Sequence, residues 1–319
     1  MFDPMLNYDD VALVPKMFHG TSRSLLNTKR KLGNYEFELP VMPANMKCVV
    51  DTQVAYLLSQ NNYFYVMHRF GKDVTTNFAL FAQSLPLKFL SISTGVNADD
   101  FKAIEELGNM RVKVDYVTID IAHGHCTMMQ QAIAHVRKHL PDAFIIAGNI
   151  ATTKAFDDLV TWGANAVKVG IGPGAACTTK LKTGFTTPMF STLLEIGDHR
   201  NVYGDNIAII ADGGIRHNGD IAKALVAGAD WVMIGSLFSQ CTDSPALLVV
   251  GRKEYFGSAS AFNKENHKNI EGTKVHLPAC NLTIVEKMQE IKQDLQSAIS
   301  YAGGTDLKAF DYVEWNIIK

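Results

Sequence analysis

Cys177 closes a loop whose composition suits the gripping of a ligand, Val169-Gly-Ile-Gly-Pro-Gly-Ala-Ala-Cys-Thr-Thr-Lys180. Glycines permit positive φ and close backbone approach, so such a loop can wrap an ion or a ligand. A thiol beside hydroxyls and near Lys180 is a candidate nucleophile, because nearby positive charge favours the thiolate. A structural turn followed by an inert cysteine would use the same residues. A second group lies downstream in Ile209-Ile-Ala-Asp-Gly-Gly-Ile-Arg216. Asp212 can accept hydrogen bonds from a ribose diol, and Gly213 and Gly214 leave backbone N–H groups free for a phosphate. Ile234-Gly-Ser236 then offers Gly235 and Ser236 to close the same pocket. The plainer alternative is a tight turn and a helix cap, and many phosphate-binding and flavin-binding folds share this signal.

These residues need elements to hold them. Short apolar runs recur at 39–43, 63–67, 89–93, 116–121, 144–147, 166–169, 207–211 and 231–234. Each is too short for a typical helix and lacks the alternation of a half-exposed sheet, so each reads as a strand buried on both faces. Between them lie helical patterns, among them 51–60, 75–84, 99–106, 128–139, 153–162 and 218–227. Eight strands alternating with helices predict an α/β chain folded as a (β/α)₈ TIM barrel. A doubly wound sheet shares the alternation. Trp162-Gly-Ala-Asn-Ala-Val-Lys-Val-Gly170 and Ala227-Gly-Ala-Asp-Trp-Val-Met-Ile-Gly235 repeat one pattern: helix end, Gly-Ala turn, strand, glycine. This puts the Cys177 loop after the sixth strand and Gly235 after the eighth, both at the barrel mouth, where phosphate commonly sits after strands seven and eight. The stretch 251–278 is polar and irregular and reads as a flap over that mouth or as a plain surface excursion. A last helix at 283–299 carries Ile284, Met288, Ile291 and Leu295 as a packing stripe.

The totals narrow the classes. The chain has 319 residues, 47% apolar and 19% charged, and a net charge of −2, so no nucleic-acid surface is expected. The start lacks the basic and apolar regions of a signal peptide, and no membrane span is expected. Five scattered cysteines form no Cys-x-x-Cys pair; neither a disulfide framework nor a zinc knuckle follows. His123, His125 and Cys126 lack a fourth ligand at a standard spacing. A cytoplasmic protein with one domain over 1–319 is expected.

Over nearly the whole length the chain resembles the family that joins inosine monophosphate dehydrogenase and GMP reductase. The resemblance rests on Tyr8-Asp-Asp-Val-Ala-Leu-Val-Pro15, Ser22-Arg-Ser24, Pro43-Ala-Asn-Met46, Met67-His-Arg69, Asp120-Ile-Ala-His-Gly124 and Ala147-Gly-Asn149. The Cys177 loop, Ala211-Asp-Gly-Gly214, Met233-Ile-Gly-Ser236 and Tyr255-Phe-Gly-Ser258 complete it. It implies a cysteine, Cys177, that attacks the purine ring, and a nucleotide monophosphate held by Asp212, Gly213, Gly214, Gly235, Ser236, Gly257 and Ser258. Backbone carbonyls of Gly172, Gly174 and Cys177 are implied as ligands of a monovalent cation such as K+. Asp120 is implied beside the nicotinamide cofactor. Ser22 and Arg23 match residues that reach a neighbouring subunit's cofactor, and a guanidinium suits the extra phosphate of NADPH; a surface arginine would look the same. A homotetramer is the family expectation.

Two branches differ in how the cysteine adduct is resolved. The dehydrogenase branch usually carries inserted regulatory modules and a long flap with an Arg-Tyr pair that activates water. This chain has room for neither, and the flap candidate reads Asn269-Ile-Glu-Gly-Thr273. The Glu-Gly pair, with His139-Leu-Pro141, Lys182-Thr-Gly184 and Tyr301-Ala-Gly-Gly304, is similar to the bacterial reductase branch. Ala175-Ala176 and Phe185-Thr-Thr-Pro188 depart from the commonest loop sequences without removing a reactive group. The resemblance then implies NADPH-dependent reductive deamination of GMP to IMP, with Thr179 and Glu271 as the proton-handling pair. Alone, Glu271 would be a solvated loop carboxylate and Thr179 a local hydrogen-bonding hydroxyl. The alternatives are a compact IMP dehydrogenase without the regulatory insert, a flavin-dependent barrel, and a nucleotide sensor without turnover.

Overall fold

The structure, a computed structural model, describes residues 5–204, 206–263 and 270–318. Seven short strands form one parallel sheet. Its spatial order is Val41–Pro43, Trp231–Ile234, Ala208–Asp212, Ala166–Val169, Phe144–Ile150, Tyr116–Asp120 and Ser91–Thr94. The first of these strands in the chain therefore pairs with the last, Val41 opposite Val232 and Pro43 opposite Ile234. A doubly wound sheet reverses direction at its centre and would not bring these two together. A sheet curling into a barrel does, so the (β/α)₈ reading holds and the doubly wound alternative falls.

The segment 63–67, expected as the second strand, takes the place between Ser91–Thr94 and Val41–Pro43 without a ladder. Met67 makes a single parallel bridge to Ile92, and the Ser93 hydroxyl donates to the Met67 carbonyl at 2.6 Å. Rings rather than backbone pairs hold it. Phe64 packs edge-on against Phe37 (5.2 Å between centroids) and Tyr116 (4.8 Å), and Phe37 packs likewise on Trp231 (5.7 Å). Tyr116 and Trp231 begin their strands, so these rings plug the N-terminal end of the barrel. The hairpin Arg30–Leu32 and Tyr35–Phe37 covers this plug, and its Leu32 and Lys31 carbonyls accept from Tyr116 Oη and Trp231 Nε1. The large side chains thus seal the end of the barrel away from the residues singled out for chemistry.

The helices fall close to where periodicity puts them: Thr52–Gln60, Val74–Ala82, Ala98–Asn109, Thr127–His139, Thr153–Thr161 and Asn218–Val226. Met189–Arg200 adds one that the apolar pattern does not single out. The last helix runs Ile284–Tyr301, begins in a Thr283/Glu286 capping box, and buries Ile284, Met288, Ile291, Leu295 and Ile299. The C-terminal tail, motif-free in sequence, forms the strand Trp315–Ile317 antiparallel to Val11–Leu13. The stretch read as irregular is more ordered than its composition suggests. Arg252–Phe256 and Lys274–Pro278 pair antiparallel, with Leu248–Val249 at the edge. The part of the expected flap at 264–269 lies outside the described residues.

Candidate active site at the barrel mouth

Six strand ends and the small antiparallel sheet surround a cavity of about 850 Å³, within the usual size of a ligand site. The chain leaves Ala166–Val169 through Gly170, whose φ is +143°. A Cβ there would fall 2.1 Å from the Asp212 carbonyl oxygen, so only glycine lets the two loops pass this closely. The loop is braced from behind: Ile171 N–H donates to Thr187 Oγ1 and Thr187 N–H to the Ile171 carbonyl, each at 2.8 Å.

The main chain carries Glu271 to Cys177. Cys177 and Gly272 form an antiparallel bridge, with Thr178 N–H donating to the Glu271 carbonyl (2.8 Å) and Thr273 N–H to the Ala176 carbonyl (2.9 Å). Gly272 is the crossing point, since a Cβ on it would lie 2.9 Å from Ser260 N and 3.2 Å from Gly257 Cα. The Cys177 thiol donates to Thr179 Oγ1 at 3.2 Å, and the Thr179 hydroxyl donates to Glu271 Oε2 at 2.7 Å. A thiol, a hydroxyl and a carboxylate thus stand in one chain along which a proton can pass. Lys180 takes no place in it. It is exposed and lines a second, smaller cavity on the other side of the loop with Arg216 and Gly214.

The facing wall is ionic. Lys168, only 1% exposed, places its ammonium 2.8 Å from Asp120 Oδ1 and 2.5 Å from Asp212 Oδ2. Asn149 Nδ2 donates to Asp212 Oδ2 and to the Gly170 carbonyl, and Asn45 Nδ2 donates to Asp120 Oδ2. Burial alone would push the Lys168 ammonium towards neutrality, but Asp120 and then Asp212 outweigh it and hold it above the ordinary lysine value. Burial likewise opposes ionisation of Asp120, yet Lys168, Asn45 and Arg69 keep its carboxyl below the usual range.

Gly213, Gly235, Gly257 and Ser258 line the same cavity as Cys177 and Asp212. Tyr255 shapes this wall, because a Cβ on Gly235 would fall 2.3 Å from Tyr255 Oη. Gly213 and Gly235 each directly follow the last residue of a strand at the cavity, a place where main-chain donors can meet an anionic group. Ser236 begins the four-residue helix Ser236–Ser239 directly behind Gly235. Past Cys177 the cavity reaches Asp120, Arg69 and Asn97. Arg69 Nε and Asn149 Oδ1 are buried there without a partner among the described residues, so this side has polar atoms to spare for a second ligand. Gly172 and Gly174 line the loop side; the Gly174 carbonyl already accepts from Cys177 N–H at 3.0 Å and keeps a second lone pair. Ser22 and Arg23 are not brought to the cavity of their own chain. Ser22 Oγ meets Ser24 Oγ, and Arg23 Nη1 donates to Ser297 on the last helix.

Sequence reasoning missed Lys168, Asn149, Asn45 and Arg69 as individual site residues. The signal for Lys168 was a lone lysine inside an apolar strand. The other three lay in Ala147-Gly-Asn149, Pro43-Ala-Asn-Met46 and Met67-His-Arg69, motifs that carried the resemblance without a role for each residue.

Comparison with known proteins agrees with this geometry. Residues 86–314 match the IMP dehydrogenase / GMP reductase domain. A protein of Bacillus subtilis (strain 168) named GMP reductase is 45% identical, covering 99% of this chain and 96% of that protein. One of the same name from Leptothrix cholodnii is 46% identical, covering 97% and 95%. A third, from Bacillus cereus, is 43% identical over 100% and 97%. The chain belongs to the IMP dehydrogenase / GMP reductase family.

Proposed function

We propose that this chain reduces GMP to IMP and ammonia at the expense of NADPH, through a covalent thioimidate on Cys177. The observation that carries this reading is the Cys177–Thr179–Glu271 hydrogen-bond chain on one wall of the cavity, facing Asp212 and Gly213. An amino group on an aromatic ring leaves poorly, so hydride cannot displace it directly. Covalent catalysis divides the task. The Cys177 thiol loses its proton along Thr179 to Glu271 while sulfur bonds to C2 of the purine. Glu271 returns that proton through Thr179 to the 2-amino nitrogen, which departs as ammonia. The thiol hydrogen and the amino group thereby leave together, and a thioimidate remains. NADPH, when bound, supplies a hydride at C2. Cleavage of the C2–S bond then frees IMP, and one proton from solvent restores the Cys177 thiol.

Asp212 accepts from the ribose hydroxyls, while Gly213, Gly235, Ser236, Gly257 and Ser258 take the phosphate with backbone and hydroxyl donors; Gly214, on the second cavity, serves the turn that presents Gly213. Asp120 orients the nicotinamide side. The carbonyls of Gly172, Gly174 and Cys177 would hold a potassium ion, which would brace the loop by charge without taking part in the reaction. The chain works as a single domain in a homotetramer in the cytoplasm, where Ser22 and Arg23 of one copy reach the cofactor of the next. Among the described residues no helix is long and apolar enough to cross a membrane.

The test is to follow NADPH absorbance in the presence of GMP while assaying ammonia. The reading expects one ammonia per NADPH consumed. No NADPH loss with GMP, together with turnover of IMP and NAD⁺, would make the chain a compact IMP dehydrogenase instead.

A further inference from the structure

We infer that Lys168 is a positioning residue that joins Asp212 and Asp120 into one buried carboxylate–ammonium–carboxylate unit, so that a single side chain aims the substrate's ribose acceptor and the cofactor-side acid together. The inference takes the ligand roles of these two acids from the proposed function; the geometry is independent of it. Register on adjacent strands builds the unit. Asp120 lies opposite Gly148, Gly148 opposite Lys168, and Lys168 opposite Ile210, two residues before Asp212. Gly148 makes the room, since a Cβ on it would fall 2.5 Å from Lys168 Cβ.

The hydrogen bonds are asymmetric in a useful way. Lys168 and Asn149 both bind Oδ2 of Asp212. Asp212 Oδ1 has no partner among the described residues, and Asp212 lines the cavity. One oxygen is anchored and the other is free to accept from a ligand. On Asp120 both oxygens are engaged, by Lys168 and Asn45. A buried ion pair of this kind adds little net stability, because desolvation offsets its Coulomb gain. What it supplies is a fixed place for two acids whose like charges would otherwise repel across the site. The other charged or titratable groups facing the unit are Arg69 towards Asp120, and Tyr8 and Tyr255 towards Asp212. Neither tyrosine carries a positive charge, so nothing replaces Lys168 beside Asp212.

The test measures GMP binding by calorimetry between pH 6.5 and 8.5, without NADPH and without turnover. Wild type should bind with nearly constant affinity. Lys168→Met should bind about 10- to 100-fold more weakly at pH 7. Part of the loss should return as pH rises, because burial of Asp120 without Lys168 beside it opposes its ionisation. Lys168→Met/Asp120→Asn removes the repulsion along with the ammonium. It should fall between the two, roughly fivefold weaker than wild type, with a flatter pH profile. A merely structural lysine would lower stability without making GMP affinity depend on pH. Lys168→Met with wild-type affinity and pH profile would overturn the inference. If that variant does not fold, wild-type affinity in the double variant would overturn it. Absence of GMP binding in wild type would contradict the proposed function instead.

Discussion

A thiol that donates to a hydroxyl, which donates to a carboxylate, is a proton path before it is anything else. Cys177, Thr179 and Glu271 form such a path, and on the proposed mechanism it runs from the nucleophile to a base that holds the proton until the amine needs it. Removing the nucleophile should stop chemistry and spare binding: Cys177→Ala is expected to bind GMP within a few-fold of wild type, with turnover at background in the NADPH assay. Substantial residual turnover would exclude the covalent route. Glu271→Gln keeps the shape and loses the base, and its kcat should fall by roughly 10²- to 10⁴-fold with GMP affinity little changed. Equal loss in kcat and affinity would mean that Glu271 binds rather than moves protons. At this scale the sequence was partly legible. Cys177 and Asp212 announce themselves through the glycines around them. Glu271 does not, because a bridge between distant main chains is what brings it to Thr179. Lys168 hid in an apolar run, since periodicity counts a strand as buried without asking which buried side chain is charged.

Elements decide whether that proton path is the right length. The crossing of the Cys177 loop with the 270–273 segment leaves no space at Gly272, where even a methyl group would press on Ser260 N and the Gly257 backbone. Gly272→Ala should therefore shift Glu271 rather than unfold the barrel. About a 100-fold loss of kcat with a near-native unfolding midpoint is expected, the usual cost of an ångström's misplacement in a catalytic group. Unchanged kcat would show that the crossing has slack. The small sheet behind this segment is pinned at its root by Lys253. That residue is nearly fully buried, and its ammonium donates to the Thr242, Ser244 and Ala246 carbonyls. Composition could not show this sheet, because its strands are short, polar and half-exposed, and the pairing that defines them is non-local. The Glu-Gly pair that marked the reductase branch by resemblance now has a physical cause: the glycine admits the crossing and the glutamate uses it.

The whole molecule divides its two ends by chemistry. Rings seal the N-terminal end of the barrel, and charged and glycine-rich loops line the mouth. The alternation of runs and helices made this architecture legible, whereas the second strand position, held by rings instead of a ladder, was only half visible. His68, buried near the mouth, links the fold to pH. Its Nδ1 accepts from Phe70 N–H at 3.2 Å. Burial first, and then Lys47, push its pKa down to about 4 against an ordinary 6.5, with Asp51 opposing weakly. The unfolded chain thus binds a proton that the folded chain refuses as pH drops from 6.5 to 4. Stability should fall by about 3 kcal/mol across that window, and be fully present above it. His68→Asn should flatten this slope in denaturant titrations; an unchanged slope would contradict the burial argument. The central claim is that hydride, and not water, resolves the adduct on Cys177. The most direct measurement supplies GMP with NADPH deuterated at the transferable C4 position and examines the product by mass spectrometry. One deuterium at C2 of IMP per turnover is the expected result, and unlabelled IMP or a 2-oxo purine nucleotide would contradict it.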